Sequence, residues 1–468
     1  MGKTILFCVA VVTLVMALGH EIRAQRARPA LVPGAYIVKV ADGVDVGRTA
    51  RDVAQLLGGR VKHVYGRAFR GFAIQLPPGV TAADLLDDRR LVRVEPDITI
   101  PLPPFPGAEL SAGGGKGGKG RTSQQVPTGV RRIGADLNSI ADIDGFNDAP
   151  VNVDIAILDS GIDSSHPDLN VAGGVNCISR SPCIDEFYED DYGHGTHVAG
   201  IAAAIDNGIG VVGVAPGARL WAVKTHGSNG IADLSDVIAG IDWVADPANH
   251  IEVANMSFGR VAYNAAFRQA IAAGVGQGVV FVAAAGNSSE DIYGDDGVFN
   301  ESSPNVPDDF IPAAYPEVAA VSAMADGDGK PGGSTGKRGG YLEDTLVSWG
   351  NYSTAVWNGN PVFSSGAAID LAAPGSNIYS TAMGGGYTTF DGTSMAAPHV
   401  TGAVALYIAA VGRANGAEDV VIIRQALIDA GEQQELWRAD GRMTDPDDNH
   451  ERLVNVRGFQ PQNQLRRY

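Results

Sequence analysis

Val153-Asp-Ile-Ala-Ile-Leu-Asp-Ser-Gly161 is an apolar run that ends in a carboxylate and a turn. Similar strand-like runs alternate with helical stretches further along the chain: strands at 220–224, 253–256 and 279–285, and helices from about residue 193 and at 234–244. This alternation predicts an α/β fold with a parallel sheet that has helices on both faces. Functional groups are then expected at the carboxyl ends of the strands, where Asp159 and Asn287 fall.

Three short blocks contain the parts of an activated-serine site, in the order carboxylate, imidazole, hydroxyl. They are Asp159-Ser-Gly, His194-Gly-Thr-His197 and Gly392-Thr-Ser394-Met-Ala-Ala-Pro. A serine hydroxyl is a poor nucleophile at neutral pH, so it needs a base to take its proton, and the base needs a partner that orients it. Asp159, His194 and Ser394 could fill these roles. The apolar stretch from Ser394 to about residue 410 predicts a helix, whose amino end stabilises nearby negative charge.

The chain has 468 residues, which predicts one large domain and at least one smaller one. Its net charge of −18 is uneven, because residues 1–122 contain 17 Lys and Arg against 10 Asp and Glu, whereas the remainder contains 18 against 43. The two parts should therefore attract each other. An acidic main part argues against nucleic acid or an anionic membrane as a partner.

The amino-terminal part reads as three successive segments. Residues 1–24 predict a secretory signal, because Lys3 precedes an apolar run at 5–18 that is shorter than the roughly 20 residues of a membrane-spanning helix. Residues 25–100 predict a small α+β, ferredoxin-like domain of order β-α-β-β-α-β. Its expected strands are 35–40, 71–76 and 91–97, and its expected helices are 46–57 and 81–88. Residues 101–122 are rich in Pro and Gly and predict a linker that proteases can reach.

Cysteine usage fits an exported protein. Cys8 lies in the predicted signal, which leaves Cys177 and Cys183. A small disulfide-closed loop is the first interpretation, and two unpaired thiols are the alternative. No later stretch is apolar for long enough to span a bilayer, so we expect a secreted, extracellular protein that has no membrane contact after the signal is removed.

Six segments of the main part resemble, in order, the signature segments of the subtilisin-like serine proteases. They are Asp159-Ser-Gly-Ile-Asp-Ser-Ser-His-Pro-Asp-Leu, His194-Gly-Thr-His-Val-Ala-Gly, Gly213-Val-Ala-Pro, Asn255-Met-Ser-Phe-Gly, Ala283-Ala-Ala-Gly-Asn287 and Gly392-Thr-Ser-Met-Ala-Ala-Pro-His. The order Asp, His, Ser is also that of subtilisin. Residues 35–97 are similar to the family's inhibitory propeptide at Tyr36-Ile-Val, Gly71-Phe and Val94-Glu-Pro-Asp.

The resemblance implies a parallel, mainly seven-stranded sheet with helices on both faces, preceded by the small propeptide domain. Residues 25–100 would be the inhibitory propeptide, 101–122 a linker that contains the maturation site near Arg121, Thr122 or Ser123, and 123–468 the catalytic domain. Ser394 would be the nucleophile, His194 the general base and then acid, and Asp159 the orienting carboxylate. Asn287 and the Ser394 N–H would stabilise the oxyanion. His197 is a second candidate base, but the resemblance puts the catalytic role on His194, so His197 and His399 are interpreted as structural.

The resemblance also implies a substrate track of edge segments that pair with an extended peptide. The implied residues are Gly227, Ser228, Asn229, Gly230, Ser257, Phe258 and Gly259, with Ala284 and Gly286 as further walls of the S1 pocket. These small or apolar groups suit an apolar P1 side chain. Arg260 and the acidic stretches 185–191 and 290–296 leave a basic P1 preference open.

Calcium is the cofactor that the resemblance implies, because hard cations take oxygen ligands from carboxylates, amides and carbonyls. The implied ligands are the side chains of Gln124, Asp168 and Asn207 and the carbonyls of Ile205, Ile209 and Val211. The alternative is that residues 206–210 form only a surface loop. Asp326-Gly-Asp-Gly is interpreted as a solvated turn, and the acidic stretches 288–349 and 445–451 are expected to be solvated too.

The sequence therefore predicts a secreted, monomeric, calcium-stabilised serine endopeptidase that is made as a self-processing zymogen. Its expected partners are polypeptide substrates of many sequences, with an apolar P1, and its own propeptide as an intramolecular inhibitor. Two alternatives stay open, a narrow processing protease that prefers a basic P1 and a non-catalytic surface protein on the same fold.

Overall fold

The computed structural model describes residues 30–105, 123–294, 299, 308–332, 337–338, 341–354, 361–364, 366, 368–438, 441, 443–447 and 449–461. The predicted signal and residues 106–122 of the predicted linker lie outside the described residues.

The amino-terminal unit, residues 30–101, is a small α+β arrangement. Its elements are β1 (Leu31–Val40), α1 (Val46–Leu57), β2 (Arg60–Tyr65), β3 (Gly71–Gln75), α2 (Ala82–Leu86) and β4 (Leu91–Pro101). The strands are antiparallel in the order β2-β3-β1-β4, and their apolar side chains pack against the helices around Phe72 and Ile74. The predicted β-α-β-β-α-β order is confirmed, although the sequence located only three of its four strands and left β2 unplaced.

Local capping explains why α1 has the bounds that the sequence predicts. The Asp45 carboxylate accepts the Arg48 N–H at 2.7 Å, and Gly58 ends the helix in the left-handed conformation at φ 66°. By contrast, β2 has no strand-like apolar pattern. Lys62 and His63 are buried there because they pair with the other unit, so no local signal marked this strand.

The main unit, residues 123–461, contains the predicted parallel sheet. Its helices are α3 (Thr128–Arg132), α4 (His194–Ala203), α5 (Leu234–Val244), α6 (Ala265–Gly276), α7 (Thr393–Val411) and α8 (Ala417–Ala430). Short 3₁₀ turns occur at Ala135–Leu137, Pro247–Asn249 and Gln434–Leu436. Its strands are β5 (Asp154–Asp159), β6 (Val171–Asn176), β7 (Arg219–Lys224), β8 (Ile231–Asp233), β9 (Val253–Met256), β10 (Arg260–Val261), β11 (Val280–Ala284), β12 (Phe310–Ile311), β13 (Ala319–Ala325), β14 (Lys337–Arg338), β15 (Tyr341–Leu342), β16 (Thr345–Leu346), β17 (Leu371–Ser376), β18 (Ile378–Ala382), β19 (Gly386–Phe390) and β20 (Arg452–Leu453).

Seven strands of the main sheet are parallel neighbours in the order β17-β13-β11-β9-β5-β7-β6. The short β20 extends the β17 edge in parallel, and β16 pairs antiparallel with β13. All six residues of β5 are buried, as expected for a central strand that is covered on both faces. Helices α4 and α7 pack together on one face and α5 and α6 on the other, so the predicted fold class is confirmed.

Helix α7 is the core helix of the main unit. Within the part of the chain that the structure describes, it alone is long and apolar enough to cross a membrane by length and composition, contrary to the expectation that no stretch after the signal is. However, 83% of its most apolar window is buried inside the protein. It contacts β9, β11, β13 and β17. The apolar side chains of α7 therefore pack against the sheet.

Cys177 and Cys183 form the predicted disulfide, with sulfurs 2.08 Å apart. The small loop that they close follows β6 and faces the amino-terminal unit, where the Ser181 hydroxyl accepts the Val64 N–H at 3.0 Å. The bridge therefore holds a loop that belongs to the interface between the two units.

Charged groups dominate the interface between the amino-terminal unit and the main unit. The buried Lys62 ammonium lies 3.0 Å from Asp97 and 2.6 Å from Asp233, and His63 lies 2.6 Å from Asp236. Glu95 accepts the first N–H groups of α6, from residues 265 and 266, at 2.8 and 3.0 Å. A carboxylate at a helix amino terminus is stabilised by the helix dipole, so Glu95 pairs favourably with this end of α6.

The prediction that the acidic segments are solvated is wrong for several of their described carboxylates. Glu451 is only 1% exposed because the carboxyl-terminal segment runs back to the main sheet as β20. Asp447 accepts the Ser353 N–H at 2.8 Å, and burial raises its pKa to about 8. Asp326 is 3% exposed, since its carboxylate turns inward and accepts the Gly329 N–H at 3.0 Å, and burial raises its pKa to about 7.

Candidate active site

Asp159 lies at the carboxyl end of β5, which lies between β9 and β7 in the main sheet. Its carboxylate is buried and accepts the Ser160 N–H at 2.8 Å. Its main-chain carbonyl accepts the N–H groups of Thr225 and His226, at 2.9 and 3.1 Å, from the loop after β7. The position of this carboxylate is therefore set by two neighbouring strands of the sheet.

His194 is the first residue of α4. Its Nδ1 lies 2.9 Å from each Asp159 carboxylate oxygen, so Nδ1–H donates to the carboxylate. The preceding Gly193 has φ 104°, a conformation in which a side chain is strained, and the Asp190 carboxylate accepts its N–H at 2.8 Å. Nε2 of His194 is buried and has no hydrogen-bond partner among the described residues. The imidazole is thus oriented by Asp159, and Nε2 is left to exchange a proton.

Ser394 stands in the first turn of α7, opposite the end of β9. Its hydroxyl donates to the Ser257 carbonyl at 3.0 Å, and the Ser257 hydroxyl donates to the Ser394 carbonyl at 2.8 Å. The Asp159–His194 half of the predicted triad is therefore hydrogen-bonded, while the Ser394 hydroxyl is turned toward β9.

Asn287 follows β11 and has an oriented side chain. Its Oδ1 accepts both the N–H and the hydroxyl of Thr393, at 2.9 and 2.8 Å. Because an amide has one acceptor oxygen and one donor nitrogen, these contacts leave Nδ2 free to donate. The structure brings Asn287 and Ser394 to the same cavity, as expected for two oxyanion donors.

The other histidines around the site are buried and neutral. His197 donates from Nε2 to the Thr388 carbonyl at 3.2 Å, and burial lowers its pKa to about 3. His399 donates from Nδ1 to the Met395 carbonyl at 2.8 Å, and burial lowers its pKa to about 4. Burial likewise lowers the pKa of His226 to about 4. Their main-chain contacts and burial support structural roles for His197 and His399.

The end of the amino-terminal unit enters the cleft as an added strand. β4 pairs antiparallel with β8, with residue 99 opposite Asp233 and residue 101 opposite Ile231, and the Leu102 N–H continues this ladder to the Gly230 carbonyl at 2.7 Å. The edge that pairs with an extended chain is therefore 230–233. Gly227, Ser228 and Asn229 form the adjoining turn, in which the Asn229 side chain accepts the Ile231 N–H at 3.1 Å.

Residues 102–105, here called the cleft segment, continue past the candidate catalytic groups. The Tyr192 hydroxyl donates to the Pro103 carbonyl at 2.9 Å and accepts the Phe105 N–H at 3.1 Å. The Phe105 ring lies 3.8 Å from the Phe390 ring and 5.6 Å from the His194 ring, measured between centroids. The cleft segment therefore covers the imidazole.

A cavity of about 380 Å³ opens beside Ser394. Its lining is largely apolar: Pro101, Leu102, Pro103, Pro104, Phe258, Gly259, Ala284, Gly286, Asn287, Ser288, Phe310, Thr393 and Ser394. Four of the five predicted S1 residues are in this lining, and Ser257 instead contacts Ser394. Phe310 closes the far wall, where a Cβ at Gly259 would lie 2.4 Å from the ring. Arg260 donates to the Thr99 side chain at 3.2 Å and is not part of the lining.

The implied calcium ligands are close together in the structure. Asp168 accepts the Val211 N–H at 2.9 Å through Oδ2, whereas its Oδ1 is buried and has no hydrogen-bond partner among the described residues. Gln124 Oε1 accepts the Asn207 N–H at 2.9 Å. No group of three His, Cys, Asp or Glu side chains suited to a metal occurs in the described part of the chain. The implied set has a single carboxylate, so it depends on amide and carbonyl oxygens, which suit a calcium ion.

Tyr192, Phe390 and Phe310 are site residues that the sequence did not reveal. Tyr192 and Phe390 stand two and four residues before His194 and Ser394, so proximity to the motifs was an available signal. Phe310 comes from the acidic stretch after residue 288 and reaches the cavity through the pairing of β12 with β10, in which Ile311 lies opposite Arg260. No local pattern predicts that contact.

Comparisons with known proteins agree with this geometry. A family model described as the subtilase family matches residues 151–451. Subtilisin E of Bacillus subtilis (strain 168) is 38% identical over 287 residues, which are 61% of this chain and 62% of that protein, so the match spans less than two thirds of its length. Subtilisin of Bacillus pumilus is 38% identical over 287 residues and is covered to 86%. Subtilisin Savinase of Lederbergia lenta is 35% identical over 284 residues and is covered to 84%.

The motifs, the parallel sheet and these similarities lead to one assignment. The match of the family model covers more than half of the chain and includes Asp159, His194, Asn287 and Ser394. The chain belongs to the subtilase family.

Proposed function

We propose that the protein hydrolyses internal peptide bonds of polypeptides through Ser394, His194 and Asp159. The observation that carries this proposal is the pair of equal 2.9 Å contacts between His194 Nδ1 and the Asp159 carboxylate, with the unpartnered Nε2 on the other side of the ring. A base oriented in this way beside a serine at a helix amino end is the arrangement that acyl transfer needs.

The proposed reaction has two steps. The Ser394 hydroxyl turns from the Ser257 carbonyl to His194, gives its proton to Nε2 and attacks the substrate carbonyl carbon. The resulting oxyanion takes hydrogen bonds from Asn287 Nδ2 and the Ser394 N–H, and Nε2–H then gives its proton to the leaving amine. Water, activated by the same nitrogen, hydrolyses the acyl-enzyme. Asp159 stabilises the imidazolium throughout.

The test is hydrolysis of casein by the mature protein together with labelling by a fluorophosphonate. Mass spectrometry of the labelled protein should place the adduct on Ser394. Absence of both hydrolysis and labelling would favour a non-catalytic surface protein on the same fold.

We propose that the protein is secreted and is made as a zymogen whose residues 25–100 inhibit the enzyme before maturation. The occupied cleft and the charged interface support this proposal, because the amino-terminal unit covers His194 and pairs with the substrate edge. Signal removal after about residue 24, a maturation cut near residues 121–123 and a monomeric mature enzyme belong to the same proposal. Sequencing of the mature amino terminus tests the cut.

The mature enzyme is proposed to prefer an apolar P1 side chain. Since Phe258, Ala284 and Phe310 line the cavity and no acidic side chain is among its described lining residues, a charged P1 would be buried without a partner. Burial of an apolar side chain contributes about 1.5–3 kcal/mol, which predicts a kcat/KM about 10–100 times higher for P1 Leu or Phe than for Arg or Lys. Chromogenic peptides that differ only at P1 measure this ratio, and highest activity on Arg would support the narrow processing protease.

Calcium is proposed to stabilise the mature enzyme at Gln124, Asp168, Ile205, Asn207, Ile209 and Val211. Asp168 Oδ1, which is buried and has no hydrogen-bond partner among the described residues, supports a cation there. Binding at a thousandfold excess over Kd contributes about 4 kcal/mol, so a chelator should lower Tm by about 5–10 °C. Asp168→Asn should lower Tm and abolish the effect of chelator on Tm. Asp148→Asn changes an exposed residue, so it should leave Tm and the effect of chelator as in the wild type. An unchanged Tm in chelator would contradict the site.

A further inference from the structure

Arg260 is the first residue of β10 and lies beside β4. Its guanidinium donates from Nη1 to the Thr99 carbonyl and, at 3.2 Å, to the Thr99 hydroxyl. Among the described residues it has no carboxylate partner, and its Nε is buried with no hydrogen-bond partner. Burial lowers the pKa of Arg260, but a guanidinium stays charged at every physiological pH.

The strand that Arg260 contacts follows a path that an extended peptide can take. In the antiparallel pairing of β4 with β8, Thr99 lies opposite Asp233. The ladder continues to the Leu102 N–H, which donates to the Gly230 carbonyl at 2.7 Å. A substrate that adds a strand to the β8 edge forms main-chain hydrogen bonds of this kind whatever its side chains are. Its residue at the position of Thr99 then reaches Arg260.

The contact of Arg260 changes when the amino-terminal unit is removed. Thr99 supplies the hydrogen-bond acceptors of Arg260 among the described residues, and it belongs to that unit. Without the unit, a half-buried cation stands beside the substrate track. Charge-assisted hydrogen bonds are about twice as strong as neutral ones, and the fork of guanidinium N–H groups matches a carboxylate. The position therefore favours an acidic side chain over a neutral one.

One facing carboxylate opposes this preference. Asp233 lies opposite residue 99 and is 2.6 Å from the Lys62 ammonium, which also belongs to the amino-terminal unit. Without Lys62, Asp233 repels a second carboxylate at this position. Among the described residues, however, Asp233 makes no hydrogen bond to Thr99, whereas Arg260 contacts both Thr99 oxygens. Because the interaction of charges weakens with distance, we expect the attraction of Arg260 to dominate.

We propose that Arg260 selects an acidic side chain in the substrate, three residues before the residue that pairs with the Gly230 carbonyl. The proposal rests on the proposed function and places Arg260 upstream of the P1 pocket. Residue 99 is the fourth residue before the 102–103 bond and the sixth before the 104–105 bond. For a cut anywhere within the cleft segment, the selected residue is therefore the fourth to the sixth before the cut.

The first experiment moves one acidic residue along a peptide. Internally quenched peptides with Leu at P1 contain Glu in turn at each position from the second to the seventh before the cut, and matched peptides contain Gln or Lys there. The ratio of kcat/KM for Glu over Gln should reach about tenfold at one position from the fourth to the sixth, the size of a hydrogen bond to a charged group. Lys at that position should be worse than Gln. A ratio that is uniform, or highest at the second or third position, would overturn the proposal.

The second experiment tests whether Arg260 causes the maximum. The ratio compares two peptides with one enzyme, so a general loss of activity cancels. Arg260→Leu should reduce the ratio to about one, and Arg260→Lys should keep part of it, because an ammonium is charged but has no fork. Asp233→Asn should raise the ratio. Arg413→Leu, at an exposed residue just after the end of α7 that is far from Ser394, is the matched control and should keep the wild-type ratio.

The outcome for Arg260→Leu decides the proposal, since an undiminished maximum in that variant would overturn it. All variants are processed with tagged wild-type enzyme, which is removed before the assay. Casein hydrolysis separates the two possible failures. If the mature wild type hydrolyses neither casein nor peptides, the proposed function is wrong. If it hydrolyses both and shows no preference for Glu at any position, only the Arg260 proposal is wrong.

Discussion

Replacement of Ser394 with Ala is expected to lower kcat on casein and on chromogenic peptides by about 10⁶-fold, a magnitude taken from subtilisin itself. Fluorophosphonate labelling should disappear as well. The proprotein should stay unprocessed when it is refolded alone and should be cut in the linker when a trace of wild-type enzyme is added.

The physical reason is that Ser394 supplies the nucleophile in the proposed reaction. Removal of its hydroxyl leaves Asp159, His194 and Asn287 in position, so the residual activity comes from binding and oxyanion stabilisation alone. The fold should be retained, because among the described residues the hydroxyl donates a single hydrogen bond, at 3.0 Å to the Ser257 carbonyl. Near-ultraviolet circular dichroism and Tm should thus match those of the wild type.

The matched control is Ser139→Ala, an exposed serine far along the chain from every site residue. Both variants are processed with the same tagged wild-type enzyme, which is then removed before the assay. Substantial hydrolysis by the Ser394 variant, or equal loss in both variants, would contradict the role of Ser394.

The sequence predicted those elements whose signals are local. Strand β9 and helices α1 and α5 have the predicted bounds, because apolar runs and caps specify their ends. The disulfide followed from the count of cysteines. By contrast, β2 was missed, since Lys62 is buried only through its pairing with Asp97 and Asp233 of the interface.

Contacts between distant segments could not be predicted from the sequence. Residues 101–105 were interpreted as part of a linker, and their Pro-rich composition does suit an extended chain. Their position in the cleft depends on pairing with β8, about 130 residues away, which no local pattern encodes. The same holds for Glu451, whose acidic surroundings predicted solvation but whose strand β20 joins the edge of the main sheet.

The motifs could place the candidate site residues for a related reason. Each motif places its residue at the end of a strand or the start of a helix, and the parallel sheet then brings those ends to one edge. Asp159, His194, Asn287 and Ser394 therefore meet although they are far apart in sequence. What the motifs could not show is that the Ser394 hydroxyl faces the Ser257 carbonyl while the cleft segment is in place.

Replacement of Asn287 with Leu is expected to lower kcat by about 10²–10³-fold and to leave KM within a few fold of the wild type. The size is that found when the equivalent group of subtilisin is removed. Leu has a similar volume but no amide, so Nδ2 no longer donates to the oxyanion. Because the oxyanion charge develops only in the transition state, the loss of this hydrogen bond should lower kcat and should not raise KM.

The hydrogen bond from Thr393 provides a second test of the role of Asn287. Its hydroxyl donates to Asn287 Oδ1 at 2.8 Å and so orients Nδ2 toward the cavity. Thr393→Val should lower kcat about tenfold, the size of one lost hydrogen bond of about 1.4 kcal/mol, whereas Thr393→Ser keeps the hydroxyl and should restore most of it. Fluorophosphonate should still label Ser394 in all three variants. If Asn287→Leu instead raised KM at constant kcat, Asn287 would act in substrate binding, and the oxyanion would have to depend on the Ser394 N–H.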